Sequence, residues 1–330
     1  MRRLLARLLA VAALVACAYA FRVLRPYRGF QGEVFVDIPH GTSSGQMADL
    51  LAASGVVRSR WDFLLARLTG RGRVLQAGEY RFDHAASAAE VRARIARGDI
   101  FYYELVAPEG WNMFDIGAAC DKLGVFPASG FVAAARSPAL IRDLDPAAPS
   151  LEGYLFPNTY RLGRNTTPEG LCRMMTEKFR EVWRALDSSA SVHDTVTVAS
   201  LVEKEGKLAE ERPRIAAVFE NRLRIGMKLD CDPTTIYAAL LEDRYRGTIY
   251  RSDLDSEAPY NTYRHAGLPP GPIANPGRAS LEAALHPAAS GALYFVLRPD
   301  GSGAHEFSNN IAAHEAATEK YRRGLRNHLR

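Results

Sequence analysis

An uncharged apolar run, Leu8–Phe21, lies near the start of this 330-residue chain, between two groups of arginines. A basic start followed by an apolar run is typical of an export signal or a membrane anchor. The run is shorter than the ~20 residues of a membrane span, but arginine side chains that extend along the helix lengthen it to Leu4–Leu24. We therefore predict a membrane anchor and stalk over residues 1–29, with the rest of the chain outside the cytoplasm.

Two alternatives for this segment stay open. Ala18 and Ala20 fit the small-residue pattern of a signal-peptidase site, which would make the segment a cleaved signal. Leu14–Cys17 fits a lipobox-like pattern, which would make Cys17 a lipid-modified cysteine. Because arginines lie on both sides of the run, the positive-inside rule sets the orientation only weakly.

The composition is that of a globular protein, with 47% hydrophobic and 24% charged residues. It excludes a disordered chain and a protein with many membrane spans. The net charge is +5, but residues 1–28 hold six arginines and no acid, which leaves residues 29–330 at −1. Since no cluster of five or more basic residues is present, we expect no nucleic-acid partner.

The pattern after the arginines predicts an α+β chain of about two domains. A small unit over residues 30–107 is predicted in the order strand, helix, helix, strand, followed by one more helix and strand. Its predicted elements are Glu33–Ile38, Ser44–Ser54, Arg58–Thr69 closed by Gly70, Ala77–Phe82, a helix capped by Ser87 and Glu90 that ends near Gly98, and Tyr102–Ala107. Residues 108–330 are predicted to form a larger, mainly helical domain.

Glu205 is the most informative acid in the chain, at the end of a predicted helix over residues 195–206. At 100° per residue, Val198, Leu201 and Val202 lie within about 60° of Glu205, which places its carboxyl group on the apolar stripe. A carboxyl group in that position is costly to ionise. Desolvation raises its pKa, and a general acid that works near neutral pH needs such a raised pKa.

Charged residues near Glu205 in the sequence also allow a structural interpretation of the acids in this helix. Glu203 lies at about 160° from Glu205, and we expect it to be a solvated charge that pairs with Lys207. An ion pair of Glu205 with Arg212 or Arg214 is the structural alternative to catalysis.

Further on, Asp232 precedes a proline and is predicted to cap a helix that runs toward Leu241. The loops Pro259–Tyr263 and Gly267–Pro272 are dense in proline, aromatic and amide residues. Such loops are rigid and offer flat surfaces and hydrogen bonds to sugars.

Three cysteines follow the apolar segment, Cys120, Cys172 and Cys231. They are predicted to be buried thiols, with a disulfide between two of them left open. Since the chain has no paired-cysteine or HExxH spacing, no P-loop and no glycine-rich dinucleotide motif, we expect neither a metal nor a cofactor.

Several motifs, in the right order, resemble the YceG-like (MltG) family of endolytic murein transglycosylases. They are Ala77–Tyr80, Glu152–Pro157, Ala199–Glu205, Glu211-Arg212, Ala217–Met227, Asp232–Thr234 with Ile236-Tyr237, Tyr260–Tyr263, Gly267–Ile273, Asn275–Gly277 and Ala284–Pro287. The resemblance covers the chain from about residue 33 onward.

The resemblance implies a protein anchored in the bacterial inner (cytoplasmic) membrane by one helix, with its catalytic domain in the periplasm. It implies cleavage of nascent peptidoglycan glycan strands between MurNAc and GlcNAc by one essential glutamate, which matches Glu205. It also implies a LysM-like strand–helix–helix–strand subdomain and, as further partners, peptidoglycan synthases. The candidate substrate-binding residues in the matching motifs are Glu152, Asp232, Thr234, Asn261, Thr262 and Tyr263.

Two positions depart from the family pattern. Asn158 stands where the family often has aspartate, and Asp230 stands where it often has glutamine. A hydrolase needs two carboxylates, whereas a lytic transglycosylase needs one. A muramidase with Asp230 as its second carboxylate is therefore one alternative function, and a non-catalytic glycan-binding scaffold of the cell-wall machinery is another.

Overall fold

The computed structural model describes residues 2–68 and 74–328. The chain divides into two compact units, Met1–Tyr103 and Glu104–Arg330. Both contain helices and short two-stranded sheets, so the fold is the mixed α+β fold that the sequence predicts.

The first unit contains one long N-terminal helix followed by the predicted strand–helix–helix–strand order and a further helix. Its elements are α1 (Arg2–Leu24), β1 (Val34–Ile38), α2 (Ser44–Ala53), α3 (Arg60–Leu68), β2 (Gly78–Phe82) and α4 (Ala88–Arg97). The predicted end of α3 at Thr69 and Gly70 lies outside the described residues.

Strands β1 and β2 pair antiparallel, with Val36 opposite Tyr80. Val36, Tyr80 and Ile38 are buried, while Asp37, which lies between Val36 and Ile38 along β1, is exposed. This alternation turns one face of the sheet toward α2, α3 and α4, because successive strand side chains point to opposite faces. The predicted capping box of Ser87 at the start of α4 is confirmed.

Helix α1 has the length and composition of a membrane span over Arg3–Leu24, with a mean hydropathy of 2.2. A signal sequence near the N-terminus would show the same properties. Most of its apolar side chains are exposed, from Leu4 to Phe21, whereas Val23 in its last turn is buried in the first unit.

The second unit is mainly helical. Its elements are β3 (Tyr103–Ala107, which starts in the first unit), α5 (Met113–Lys122), α6 (Ala128–Ala135), β4 (Asn158–Leu162), α7 (Pro168–Ala185), α8 (Val192–Glu205), α9 (Arg212–Arg224), α10 (Asp232–Leu241), α11 (Arg251–Leu254), α12 (Arg278–Leu285), β5 (Tyr294–Leu297), β6 (His305–Ser308) and α13 (Ile311–His328). Strand β3 pairs with β4, and β5 pairs antiparallel with β6.

The core around α8 determines where Glu205 lies. Val198, Leu201 and Val202 are at most 1% exposed and pack with Phe219 of α9. Each such buried side chain stabilises the fold by about 1.5–3 kcal/mol. The predicted burial of these three side chains is therefore confirmed, although α8 is buried on its other faces as well over Thr195 to Val202.

The cysteines are free in the structure. Cys120, Cys172 and Cys231 are buried thiols, as the sequence predicts, and none forms a disulfide. Burial raises the pKa of the Cys120 and Cys172 thiols to about 12, so both stay protonated.

Candidate active site

Glu205 is the last residue of α8, and its carboxyl group lies in the wall of a cleft of about 460 Å³ within the second unit. The Cys231 thiol donates a hydrogen bond to Glu205 Oε1 over 3.4 Å. Among the described residues, Glu205 forms no ion pair, so the alternative of a pair with Arg212 or Arg214 is wrong. The carboxyl group is thus partly buried and reachable from the cleft.

Burial raises the pKa of Glu205 above its ordinary value. The Cys231 hydrogen bond and the nearby His305 lower this pKa, while the charge of Asp232 raises it; the net shift is upward. The C-terminal end of a helix also carries partial negative charge, which disfavours an ionised carboxylate at that position. The site therefore favours the protonated form of Glu205, the form that a general acid uses.

The cleft is formed by residues from α8, α9, α10, α13 and β5, together with the loop before α10 and the loop that carries Tyr263. They are Glu205, Phe219, Arg222, Leu229, Asp230, Cys231, Asp232, Pro233, Tyr263, Tyr294, Phe295, Ile311 and His314. The lining combines polar side chains with the rings of Tyr263, Tyr294 and Phe295, a combination suited to a sugar chain. Within residues 2–68 and 74–328, no group of three or more His, Cys, Asp or Glu side chains could hold a metal ion.

Asp232 and Tyr263 meet in this cleft, where the Tyr263 hydroxyl donates to Asp232 Oδ1 over 2.7 Å. The prediction that Asp232 caps α10 is wrong: the capping position is Cys231, which makes no side-chain capping bond, and Asp232 is the first helical residue. Because its carboxylate is not used by the helix backbone, it is available to the cleft.

Thr234 and Thr262 lie behind the cleft wall rather than in it. Both are at most 1% exposed. Thr262 Oγ1 accepts the Cys231 backbone N–H over 3.0 Å and lies 2.9 Å from Thr234 Oγ1, which donates to the Cys231 carbonyl over 2.6 Å. The two threonines therefore hold the Cys231 backbone, and through it the thiol that contacts Glu205.

Asn261 is fully buried, and its side chain is saturated by the protein. Its amide group donates to the carbonyls of Asp253, Leu254 and Ser256 at 2.7–3.3 Å. Its carbonyl oxygen accepts the Tyr263 backbone N–H over 3.1 Å. Asn261 thus shapes the loop that presents Tyr263, and no part of it faces the cleft.

Glu152 lies in a separate buried network of the second unit. Its carboxyl oxygens accept the Met113 backbone N–H over 2.9 Å and the Asn275 side-chain amide over 2.8 Å. Burial raises the pKa of Glu152 to about 8. It does not line the cleft, so the structure separates it from the other candidates.

Glu203 is not the solvated charge that the helical wheel predicts. Its side chain is 5% exposed, and Oε1 pairs with Arg212 over 3.0 Å. Oε2 accepts the backbone N–H of Gly277, the capping residue of α12, over 2.9 Å. The prediction fails because Arg212 at the start of α9 and Gly277 before α12 contact Glu203, and the pattern of one helix alone cannot show such contacts.

Arg222 is a cleft residue to which the sequence analysis assigned no role. Its guanidinium donates to the carbonyls of Leu293 over 2.6 Å and Leu229 over 2.8 Å, and lies 3.7 Å from Asp230. It therefore links α9 to the loop before α10 and to the residue that precedes β5. A signal was available, because Arg222 lies three residues after the buried Phe219 and so on the apolar face of α9.

Tyr294 and His314 also line the cleft, and their rings stack with centroids 5.0 Å apart. Burial and the nearby Arg222 lower the pKa of His314, which favours the neutral imidazole. They belong to β5 and α13, and no local pattern in the sequence indicates that these elements reach Glu205.

The comparison with family models decides the classification. The YceG-like family model matches residues 36–320. The chain belongs to the YceG-like family. This membership confirms the resemblance that the motifs indicate.

Curated relatives agree with this YceG-like classification. The chain is 31% identical over 309 residues to the endolytic murein transglycosylase of Bacillus subtilis, covering 87% of this chain and 84% of the relative. It is 29% identical over 321 residues to the endolytic murein transglycosylase of Streptococcus pneumoniae strain D39, and it spans 57% of that longer protein.

A solved structure shares the fold. The crystal structure of a YceG-like protein from Listeria monocytogenes aligns with a TM-score of 0.55 and 28% identity. The alignment covers 87% of this chain and 99% of the Listeria chain.

Proposed function

We propose that this protein is an endolytic murein transglycosylase that cleaves the MurNAc–GlcNAc bond within nascent glycan strands and leaves 1,6-anhydro-MurNAc ends. Membership of the YceG-like family supports this activity, as does the named activity of the Bacillus subtilis relative. The observation that carries the proposal is the Glu205 carboxyl group, which is partly buried, has a raised pKa and lies in the wall of the cleft.

Glu205 serves first as general acid and then as general base. Protonated Glu205 donates its proton to the glycosidic oxygen as the bond to C1 of MurNAc breaks. The resulting carboxylate accepts the proton of the MurNAc C6 hydroxyl group, whose oxygen attacks C1 and closes the anhydro ring. The one carboxyl group of Glu205 thus donates a proton and regains one, and no water is consumed.

The positive charge that develops at C1 needs a stabilising partner. Asp232 and Tyr263 are the candidates in the cleft, since the Tyr263 hydroxyl orients the Asp232 carboxylate over 2.7 Å. The acetamido oxygen of the substrate is the other candidate. Thr234, Asn261 and Thr262 then act indirectly, by holding the backbone around the cleft.

Asp230 is the residue on which the hydrolase alternative depends. It lines the cleft, but its carboxylate lies 3.7 Å from Arg222 Nη1, and its backbone φ of 46° holds it in the left-handed region. A carboxylate that pairs with an arginine is less available to activate water. This favours the transglycosylase over the muramidase.

The proposed domain organisation follows the family. Residues 1–29 anchor the chain as a single span in the bacterial cytoplasmic membrane, and residues 108–330 form the catalytic domain in the periplasm. Residues 30–107 contain the LysM-like subdomain, for which the order β1, α2, α3, β2 and the antiparallel pairing of β1 with β2 are the support. Peptidoglycan synthases are proposed as further partners.

The activity is tested by digesting purified glycan strands with the full-length protein and identifying the ends by mass spectrometry. We expect anhydro-MurNAc ends, internal cuts, and complete loss of cleavage in Glu205→Gln with an unchanged circular dichroism spectrum. Glu210→Gln, an exposed acid in the turn after α8, is the matched control and should cleave normally. Reducing ends would indicate a muramidase, and binding without cleavage by the wild type would indicate a scaffold.

The anchor is tested separately by fractionation of cells that express the full chain. An intact N-terminus in the membrane fraction, unchanged in Cys17→Ala, supports the single span. Cleavage after Ala20 would indicate a signal peptide, and loss of membrane association in Cys17→Ala would indicate a lipid anchor.

A further inference from the structure

The C-terminal end of α1, from Tyr19 onward, is part of the folded first unit rather than the start of a free stalk. The Tyr19 hydroxyl donates to the Leu65 carbonyl over 3.1 Å, and Val23 is 2% exposed in the hydrophobic core. Arg22 Nε pairs with the buried Asp62 over 2.7 Å. The apolar part of α1 that remains exposed therefore ends directly at the surface of this unit.

A cationic pocket of about 170 Å³ lies at this junction, and we call it the anchor pocket. It is lined by Phe21, Arg22, Arg25, Tyr27, Val57, Arg58, Asp62, Ala86 and Ala88. Three guanidinium groups thus meet one carboxylate, which gives the pocket a net positive charge of two.

The pairing within the pocket leaves two arginines without a countercharge. Asp62 is occupied by Arg22. Arg25 lies over the Phe21 ring at 5.0 Å, and Arg58 lies over the Tyr27 ring at 4.8 Å. In the part of the chain that the structure describes, neither Arg25 nor Arg58 pairs with a carboxylate. Their donors are exposed and available to an anion.

The charge distribution along the chain supports a function for these arginines. Arg22, Arg25 and Arg28 follow the apolar run, on the side that the proposed topology places outside the cytoplasm. Basic residues at that end weaken the normal orientation signal, because cytoplasmic flanks usually carry the positive charge. A binding function outside the cytoplasm would explain why arginines occupy these three positions.

We propose that the anchor pocket binds the phosphate of an anionic phospholipid headgroup in the outer leaflet of the membrane, an inference that rests on the proposed membrane anchoring of α1. The pocket lies where an apolar helix emerges, which is the level of the lipid headgroups. Two arginines present planar forks of donors that match phosphate oxygens. The exposed Phe21 ring beside them provides apolar contact for the same lipid.

The binding is tested on full-length protein in zwitterionic detergent by titration with short-chain phosphatidylglycerol, short-chain phosphatidylcholine and inorganic phosphate. We expect saturable binding of phosphatidylglycerol and none of phosphatidylcholine. One arginine near a membrane surface changes such an affinity by roughly fivefold, so the double variant Arg25→Gln/Arg58→Gln should lose about 25-fold.

Arg28→Gln is the matched control. Its side chain donates to the Gly32 carbonyl and lies over the Phe30 ring, and it does not line the anchor pocket. This variant should bind phosphatidylglycerol within twofold of wild type. A thermal unfolding curve of each variant shows whether the first unit remains folded.

Three results would overturn the proposal: equal binding of both lipids, equal loss in the control and the double variant, or equal affinity for inorganic phosphate and phosphatidylglycerol. Glycan cleavage is measured on the same samples. Because Glu205→Gln should bind lipid normally and the double arginine variant should still cleave glycan, a failure of the lipid site is distinguishable from a failure of the proposed function.

Discussion

Cys231 Sγ lies 3.4 Å from Glu205 Oε1 and donates its thiol hydrogen to that oxygen. The hydrogen bond favours the ionised carboxylate, while burial of the same carboxyl group favours the protonated acid. The pKa of Glu205 is therefore set by two opposing effects, of which burial is the larger. The thiol itself stays protonated, because burial raises its pKa well above the ordinary value.

The first prediction concerns the pH profile of cleavage in Cys231 variants. Cys231→Ala removes the donor and should move the high-pH midpoint of activity upward by about half a unit, because the pKa of Glu205 rises. Cys231→Ser offers a stronger donor and should move the midpoint downward. The order of midpoints should be serine below cysteine below alanine.

The midpoint is the relevant readout because a purely packing role would change rates without changing it. Both variants need a check of the unfolding temperature, since Cys231 is 2% exposed. Identical midpoints in all three proteins would show that the thiol only fills space.

The second prediction concerns the stability of Glu205→Gln. Because the pKa of Glu205 is raised in the folded state, the folded protein holds this proton more tightly than the unfolded chain. The resulting stabilisation is fully present below the unfolded pKa of about 4.3 and is lost as the pH rises through the folded pKa. Glutamine does not ionise, so the variant should be more stable than wild type above the folded pKa.

Thermal unfolding of both proteins across the pH range measures this difference. The two curves should approach each other below about pH 4, where Glu205 of the wild type is protonated in both the folded and the unfolded protein. A constant difference at every pH would indicate that ionisation of Glu205 does not contribute.

The third prediction concerns Glu203→Gln, which the sequence alone would predict to be nearly silent. In the structure, Glu203 pairs with the largely buried Arg212 and accepts the Gly277 backbone N–H. Loss of one partner of a buried pair typically costs about 3 kcal/mol. We therefore expect a lower free energy of unfolding, measured in urea, while the exposed Glu210→Gln should change it by less than about 0.5 kcal/mol.

The fourth prediction separates a cleft residue from a residue behind the cleft. Tyr263→Phe removes the hydroxyl that orients Asp232, so it should lower glycan cleavage at least tenfold with little change in stability. Asn261→Ala removes the donor to the buried Asp253 carbonyl and to the partly buried Leu254 and Ser256 carbonyls, and should destabilise the fold by about 2–3 kcal/mol. The opposite pattern in unfolding and cleavage assays would reverse the two roles.

Glu205 and Glu203 show what helical periodicity can and cannot predict from a single sequence. Helical periodicity predicts that Glu205 lies against the core, because Val198, Leu201 and Val202 in the two turns before it are on the same side of α8. The same method gives a wrong prediction for Glu203, because its partners Arg212 and Gly277 come from later segments of the chain. Periodicity reports that a face is apolar, but it does not report which distant segments cover the remaining faces.

The remaining site residues depend on contacts across long stretches of chain. Thr262 holds the Cys231 backbone from 31 residues away, and Tyr263 meets Asp232 at the same separation. The motifs predict these residues as candidates for substrate binding, but they do not indicate which of them face the cleft. Arg222 was accessible to the periodicity argument, whereas His314 was not, since α13 reaches the cleft only through the tertiary fold.

The central claim is that Glu205 cleaves the glycan without a water molecule. Cleavage in water enriched in the heavy isotope of oxygen, followed by mass spectrometry of the new ends, tests it most directly. The account predicts anhydro-MurNAc ends that carry no heavy oxygen, and no new ends with Glu205→Gln. Incorporation of one heavy oxygen at each new reducing end would contradict it.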